Sequence, residues 1–263
     1  MEKIVLYCKS YKNDVYRVKS LLDSIILYNK DSIPFFISVP KEDLELFSNI
    51  LGNNSYTLIS DEDIDSTNQG WLGQQIVKSQ FWKLQLCENY ICIDSDSVFI
   101  KPFYIKDFMY DNNTPYTICH EHRDLFEFMD KHQPGFNPYI EYEKDRLSIM
   151  EFFQRNGVIY DFGPSPVIWS ASVWKSLYEK YLHPNNLNFT DLLQSTPSEF
   201  TWYGEWLLHD NTIPIYPRGP LFKVYHYSLQ YEYDKHHNLD NNKLSKYYLG
   251  VILQSNWSTN TIY

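Results

Sequence analysis

Apolar residues fall in two rhythms along this chain. Short apolar runs at Lys3–Cys8, Ile33–Val39, Tyr56–Ser60 and Tyr90–Asp94 read as strands. Between them, Asp14–Asn29 places Val15, Val18, Leu21, Leu22, Ile25 and Ile26 on one helical face. Pro40 starts a helix that runs to about Leu51, and Gln69–Glu88 reads as a long helix. This β-α-β-α-β-α-β order predicts a mostly parallel sheet with helices on both faces. The second half is less regular. Tyr116–His120, Val167–Ser170 and Phe222–Tyr227 read as strands, and Glu141–Asn156, Ala171–Tyr181 and Lys243–Gln254 as helices. Thr196-Pro197-Ser198-Glu199 reads as a helix start, with Thr196 as N-cap and Glu199 closing a capping box.

One strand ends in an anomaly. Tyr90-Ile91-Cys92-Ile93 runs straight into Asp94-Ser95-Asp96, and Val98-Phe99-Ile100 resumes the apolar pattern. Asp is depleted in strands, and an unpaired buried carboxylate is expensive. In open α/β sheets the carboxyl end of a strand is where ligands bind. Two carboxylates there suit Mg²⁺ or Mn²⁺ shared with nucleotide phosphates. A bare D-x-D also serves as an ordinary solvated turn. The spelling Asp94 to Val98 fits a D-x-D-x-T/V phosphatase too, but three strands precede it and no G-D-x-x-x-D follows.

Composition narrows the partners. The 263 residues carry a formal net charge of -10, which argues against nucleic acid or anionic membrane as the main partner. Hydrophobic residues make up 43%, and no apolar run reaches the length of a membrane span. Cys8, Cys87, Cys92 and Cys119 show no zinc-type pairing, and no signal peptide precedes the first strand. Together these predict a reducing, cytoplasmic protein without a disulfide framework. The aromatic surplus, 17% with 23 Tyr and 7 Trp, suits flat ligands such as sugars, but also follows from AT-rich coding.

The residues in order now carry a resemblance. They are Ser10-Tyr11 with Asp14, Gly70-Trp71-x-x-Gln74-Gln75-x-x-Lys78, Ile93-Asp94-Ser95-Asp96, Pro164-x-Pro166, Ser198-Glu199-Phe200-x-x-Tyr203-Gly204 and Tyr225-His226. Across nearly the whole chain it resembles the GT-A-fold, nucleotide-sugar-dependent glycosyltransferases, in a largely bacterial, little-characterised branch. The resemblance implies a single GT-A-like (Rossmann-related) α/β domain over 1–263. Residues 1–120 would form the nucleotide-sugar half and 121–263 the acceptor half. It implies Mn²⁺ or Mg²⁺ held by Asp94, Asp96 and His226, with Asp94 also able to serve ribose or sugar. It places the base and donor on Tyr7, Ser10, Tyr11, Asp14, Gln74, Gln75 and Lys78.

The implied reaction moves a hexosyl or pentosyl group from a nucleotide sugar, UDP-linked by preference, to a hydroxyl of a surface glycan or glycolipid. An inverting reaction needs a carboxylate base. Glu199 is the first choice, with Glu205 and Asp161 as substitutes, and Trp202 and Tyr203 as acceptor stackers. Each has a plain structural reading as well: helix cap, solvated lysine, packed histidine. A retaining transferase, a sugar-phosphate nucleotidyltransferase and a non-catalytic glycan binder are the rivals. The absence of glycine from Tyr7–Tyr11 counts against the nucleotidyltransferase. No membrane-spanning segment is expected, and peripheral membrane association is left open.

Overall fold

A computed structural model describes residues 1–52, 55–65 and 70–254. The first half alternates as the apolar rhythm requires: β1 (Glu2–Lys9), α1 (Val15–Tyr28), β2 (Phe35–Val39), α2 (Leu44–Leu51), β3 (Thr57–Ser60), α3 (Gly70–Gln80) and β4 (Cys87–Cys92). Then follow β5 (Ser97–Phe99), β6 (Thr117–Ile118), α4 (Arg123–His132), α5 (Tyr139–Phe152), β7 (Val167–Ser170), α6 (Ala171–Leu177), α7 (Phe189–Ser195) and α8 (Glu199–Asp210). The chain closes with β8 (Pro217–Arg218), β9 (Phe222–Tyr225), α9 (Ser228–His236), α10 (Asn241–Leu244) and β10 (Gly250–Leu253).

The central sheet has the order β3-β2-β1-β4-β7. The first four strands run parallel, and β7 joins antiparallel with Cys92 opposite Val167. The chain turns from β1 to β2 on one side and reaches β4 on the other. The carboxyl ends of β1 and β4 therefore flank a topological switch point, where open α/β sheets form a crevice. A smaller sheet, β5-β10-β9, abuts this edge. The Asp94-Ser95-Asp96 turn leads from the large sheet into the small one, closed by Ser97 N–H donating to Asp94 O at 3.2 Å.

Three expectations change. The helix expected over Gln69–Glu88 stops at Gln80, and its first residue, Gln69, lies outside the described residues. A single 3₁₀ turn, Phe81–Leu84, follows, and Gln85 takes left-handed φ of 54°. That ends the helix early enough for Cys87 to pair with Glu2 in the sheet. The terminal helix expected over Lys243–Gln254 is a single turn followed by β10. Leu249-Gly250-Val251-Ile252-Leu253 is a buried apolar run, and β10 lies between β5 and β9. A Cβ on Gly250 would meet the Phe222 ring at 2.3 Å, so the close approach of these strands needs glycine. Finally, α8 is capped at Ser198, not Thr196, which ends α7. Glu199 is thus the first helical residue, and no capping box employs it.

The aromatic surplus goes largely into the core. Tyr7 stacks on Phe81 at 3.9 Å, and Trp169, Trp174 and Trp202 are fully buried. Trp202 donates to Thr196 O at 2.9 Å, and the Tyr203 hydroxyl accepts from Ser170 N–H at 2.8 Å. Neither is a free stacking surface for an acceptor. The four cysteines are free thiols, three of them buried.

Gly204 marks the tightest approach in α8, since a Cβ there would fall 1.9 Å from the Phe162 ring. Gly204→Ala is expected to cost about 1–3 kcal/mol by overpacking. Gly219→Ala, which meets nothing within 4 Å, is expected to stay within about 0.5 kcal/mol of wild type. Denaturant midpoints measure both, and equal midpoints for the two variants would contradict the packing argument.

Candidate functional site

The crevice at the switch point opens into a cleft of about 770 Å³. Its floor is the carboxyl edge of the parallel sheet: Lys9 from β1, Asp61 after β3, and Asp94 and Asp96 after β4. Its walls are the amino-terminal turns of α3 and α8. The volume lies in the range of small-ligand and cofactor sites.

At its centre is the Lys78 ammonium. Lys78 is buried, and its Nζ lies 2.6 Å from Asp94 Oδ1 and 3.4 Å from Glu199 Oε1. The Phe200 ring centroid lies 5.6 Å from the same nitrogen. Burial pushes the Lys78 pKa down, but Asp94 and Glu199 outweigh it and hold the group well above its ordinary value. Glu199 behaves differently. Its burial raises the carboxyl pKa, the Asp94 charge adds to this, and Lys78 offsets only part. The distances explain the asymmetry: one ammonium serves two carboxylates and sits closer to Asp94. Glu199 is therefore a buried carboxylate with strengthened basicity, joining the start of α8 to the sheet edge.

A second buried pair lies on the other side of the cleft. Lys9 Nζ contacts Asp61 Oδ2 at 2.8 Å. The remaining Asp61 oxygen and Gln75 Oε1 are buried and meet no hydrogen-bond partner among the described residues. Both residues line the cleft, which leaves it two acceptors for ligand N–H or O–H groups. The sequence reading did not select Lys9 and Asp61. They carry the same signal as Asp94, a charged residue at the carboxyl end of an apolar strand.

Tyr11, Asp14, Gln74, Gln75, Lys78, Asp94, Asp96 and Glu199 all line this cleft. Asp14 also pairs with Arg17 at 2.6 Å, and Trp71 stands exposed at the cleft's edge. The structure does not bring four other residues there: Tyr7, Ser10, Glu205, and His226, which was expected beside Asp94 and Asp96 but follows β9 into a neighbouring cavity. Tyr7 is fully buried, its hydroxyl 2.9 Å from Ser38 Oγ, because strand alternation turns it into the core below α3. Ser10 is buried and does not line the cleft. Glu205 is fully buried and forked by Arg155, with Nη2 donating to Oε1 at 2.6 Å. Six residues and nearly two turns beyond Glu199, it faces Arg155 after α5 instead of the cleft.

The carboxylates of Asp94 and Asp96 are hard oxygen donors suited to Mg²⁺ or Mn²⁺. The turn that carries them is braced by Ser165, whose Oγ accepts the Asp94 N–H at 2.8 Å. Two side chains alone do not complete a coordination shell, which accords with ligands shared from a phosphate. His226 lines a neighbouring cavity of about 540 Å³, together with His120 and His122. Asp161 lies behind them, bound to His122 Nε2 and to Arg146 at 2.9 Å.

Comparisons with known proteins fit this architecture. The mouse xyloside xylosyltransferase 1 apo structure aligns with a TM-score of 0.51 at 9% identity, over 98% of this chain and 100% of that one. The WbbM bifunctional glycosyltransferase apo structure aligns with a TM-score of 0.56 at 12% identity, over 97% of this chain and 46% of that one. At such identities the likeness is one of fold, and the fold is the GT-A-like one of glycosyltransferases. No curated protein matches the sequence. The model of a family described as "Family of unknown function (DUF6492)" matches residues 3–230.

Removal of Glu205 tests the division between cleft and core. Glu205→Ala leaves Arg155 without its carboxylate and is expected to cost about 3 kcal/mol in denaturant unfolding. Ligand affinity in the cleft should persist under conditions where the variant is folded. A stable variant with a lost ligand affinity would instead place Glu205 in the site.

Proposed function

We propose that this chain, which belongs to the family of unknown function DUF6492, is a nucleotide-sugar-dependent glycosyltransferase. The observation that carries this reading is the Lys78–Asp94–Glu199 junction at the carboxyl edge of the parallel sheet. It joins a cationic group and metal-suited carboxylates to a basic carboxylate within one cleft. The GT-A-like fold supports the same reading.

The donor lies across the cleft. Its base occupies the side of Tyr11, Lys9 and Asp61, with UDP the preferred nucleotide, and Asp61 accepts a base N–H. Gln74 and Gln75 meet the sugar hydroxyls from the first turns of α3. Asp94 and Asp96 would hold Mg²⁺ or Mn²⁺, which when bound neutralises charge on the departing diphosphate. Lys78 stays charged and adds a fixed positive group beside the diphosphate. Glu199 accepts the proton of the attacking acceptor hydroxyl as the bond from the sugar to the diphosphate breaks, which gives inversion. Its raised pKa improves it as a base, since proton affinity rises with pKa. Hexosyl and pentosyl donors both fit this chemistry. The acceptor is a hydroxyl on a growing glycan or glycolipid, built in the cytoplasm or at the membrane's inner face. No helix among the described residues is long and apolar enough to cross a membrane.

A nucleotide-release assay over a panel of nucleotide sugars tests the reading. With Mn²⁺ or Mg²⁺, Asp96→Asn is expected to lose on the order of 100-fold in turnover or more. The whole reading fails if wild type neither binds nor cleaves any nucleotide sugar. Glu199→Gln is expected to lose 10²–10⁴-fold in turnover, roughly the worth of a general base, while it still binds donor. Wild-type turnover should climb with pH through a carboxyl pKa above the ordinary glutamate value. The variant should lack that climb. Normal turnover by Glu199→Gln would remove Glu199 as the base.

A further inference from the structure

We propose a phosphate-ester site in a third cavity of this chain, formed by Lys101, Lys106 and Arg218 at the far end of the small sheet. The inference is independent of the glycosyl-transfer reading and uses no residue of the main cleft.

The cavity measures about 480 Å³. It lies where β5 ends and where β9 and β10 begin, and is lined there by Leu221 and Leu249, whose N–H donates to Leu221 O at 2.8 Å. The Asp94–Asp96 turn precedes β5 and His226 follows β9, so both sit at the opposite end of that sheet. The chain carries a formal net charge of -10, and carboxylates outnumber ammonium groups along the main cleft. Here the balance is reversed. Lys101, Lys106 and Arg218 share the lining with a single carboxylate, Asp107.

The three cations are left without counter-charges. None of them forms a salt bridge among the described residues. Asp107 is itself engaged: its Oδ2 accepts the Tyr104 N–H at 2.8 Å and closes the turn that carries Lys106. Arg218 is half-buried and held from two sides. Its Nη1 donates to Asp107 O at 2.5 Å, and its Cζ lies 4.9 Å from the Tyr116 ring centroid. A guanidinium held in this way has lost much of its rotamer freedom before a ligand arrives. It keeps further N–H groups for a planar fork onto phosphate oxygens. Lys101 is half-buried and Lys106 exposed, and each adds a compact positive charge. A Cβ on Gly219 would meet nothing within 4 Å, so the backbone leaves open space beside Arg218.

These features select the ligand class. One carboxylate ligand would offset the excess positive charge only in part, whereas a phosphate monoester brings about -1.5 to -2 charge and three acceptor oxygens. The rim supplies ring faces for the organic part of an ester, with Tyr104 38% and Tyr247 77% exposed. Lys106 Nζ lies 5.1 Å from the Tyr104 ring centroid, so charge and ring stand together. A tyrosine ring covers an apolar group while its hydroxyl stays in water. The ligand is therefore an organic phosphate, either a small soluble ester or the phosphate of a lipid headgroup.

Glycerol 1-phosphate titrated into metal-free wild-type protein by calorimetry tests the soluble ester, with glycerol as the uncharged control. Co-sedimentation with vesicles of equal parts phosphatidylcholine and phosphatidylglycerol, against pure phosphatidylcholine, tests the headgroup. Binding should weaken on the order of 10-fold or more in Lys101→Glu/Lys106→Glu. It should also fade toward 1 M salt, where the Debye length is about 3 Å. The denaturant midpoint checks that the variant folds, and wild-type crystals soaked in glycerol 1-phosphate locate the ligand without any variant. Binding of glycerol 1-phosphate that the variant weakens supports the site with a soluble ester. Binding of the phosphatidylglycerol vesicles alone, lost in the variant, supports it with a lipid headgroup. Absence of binding in both arms, equal binding by the variant, or a soaked phosphate found only in the main cleft would overturn it.

Discussion

One buried ammonium holds the cleft together. Lys78 reaches from the interior of α3 to Asp94 beyond β4 and to Glu199 at the start of α8. Two carboxylates so close repel each other, and the cation between them offsets that repulsion for the half-exposed Asp94 and the buried Glu199. The α3 backbone is fixed at the same place, because the Tyr90 hydroxyl of β4 donates to Lys78 O at 3.1 Å. The sheet edge, the Asp94–Asp96 turn and the start of α8 therefore share one electrostatic constraint. Loss of the ammonium would disturb charge at three elements at once.

The same edge explains why charge gathers here at all. Parallel strands bring all their carboxyl ends to one side, so Lys9, Asp61 and Asp94 meet although they are far apart in sequence. Each sits at or just past the carboxyl end of its strand, where backbone pairing ends. Side chains there face a crevice that the helices leave open. The Pro164–Pro166 segment locks the other side of the turn through the Ser165 hydroxyl, which also donates to Cys92 O at 3.3 Å. The position of Asp94 is thus set by β4, by α3 and by the loop before β7 together.

Much of this could be read from residue order. The β-α alternation, the D-x-D anomaly, Lys78 and Glu199 were legible because strand ends and helix starts carry local signals. Glu205 and Tyr7 were misplaced for a different reason. A turn of helix or one step of strand decides between cleft and core, and that choice depends on tertiary partners such as Arg155 and Phe81. The terminal strand β10 was masked by helix-forming residues before it. Pairing between β5 and β9 then overrode local propensity, as tertiary context does. The histidines were legible only one at a time, since nothing in their spacing announces that β6 and β9 end side by side.

The two cavities divide the chain's polar chemistry by ligand type. Hard carboxylates and ammonium groups occupy the crevice of the large sheet. Imidazoles gather at the ends of the two short strands β6 and β9. This separation has a physical reason. Carboxylates tolerate an open crevice, because cations from the protein or solvent balance them. The imidazoles are held by acceptors instead, His120 Nε2 by the Gly163 carbonyl and His122 Nε2 by Asp161. His226 stands beside His122, with the Asp161–Arg146 pair behind. Asp96 and His226 lie near each other through the β5-β10-β9 sheet, where Leu253 N–H donates to Asp96 O and Leu253 pairs with Tyr225. β10 thus links β5, which follows the Asp96 turn, to β9, which precedes His226.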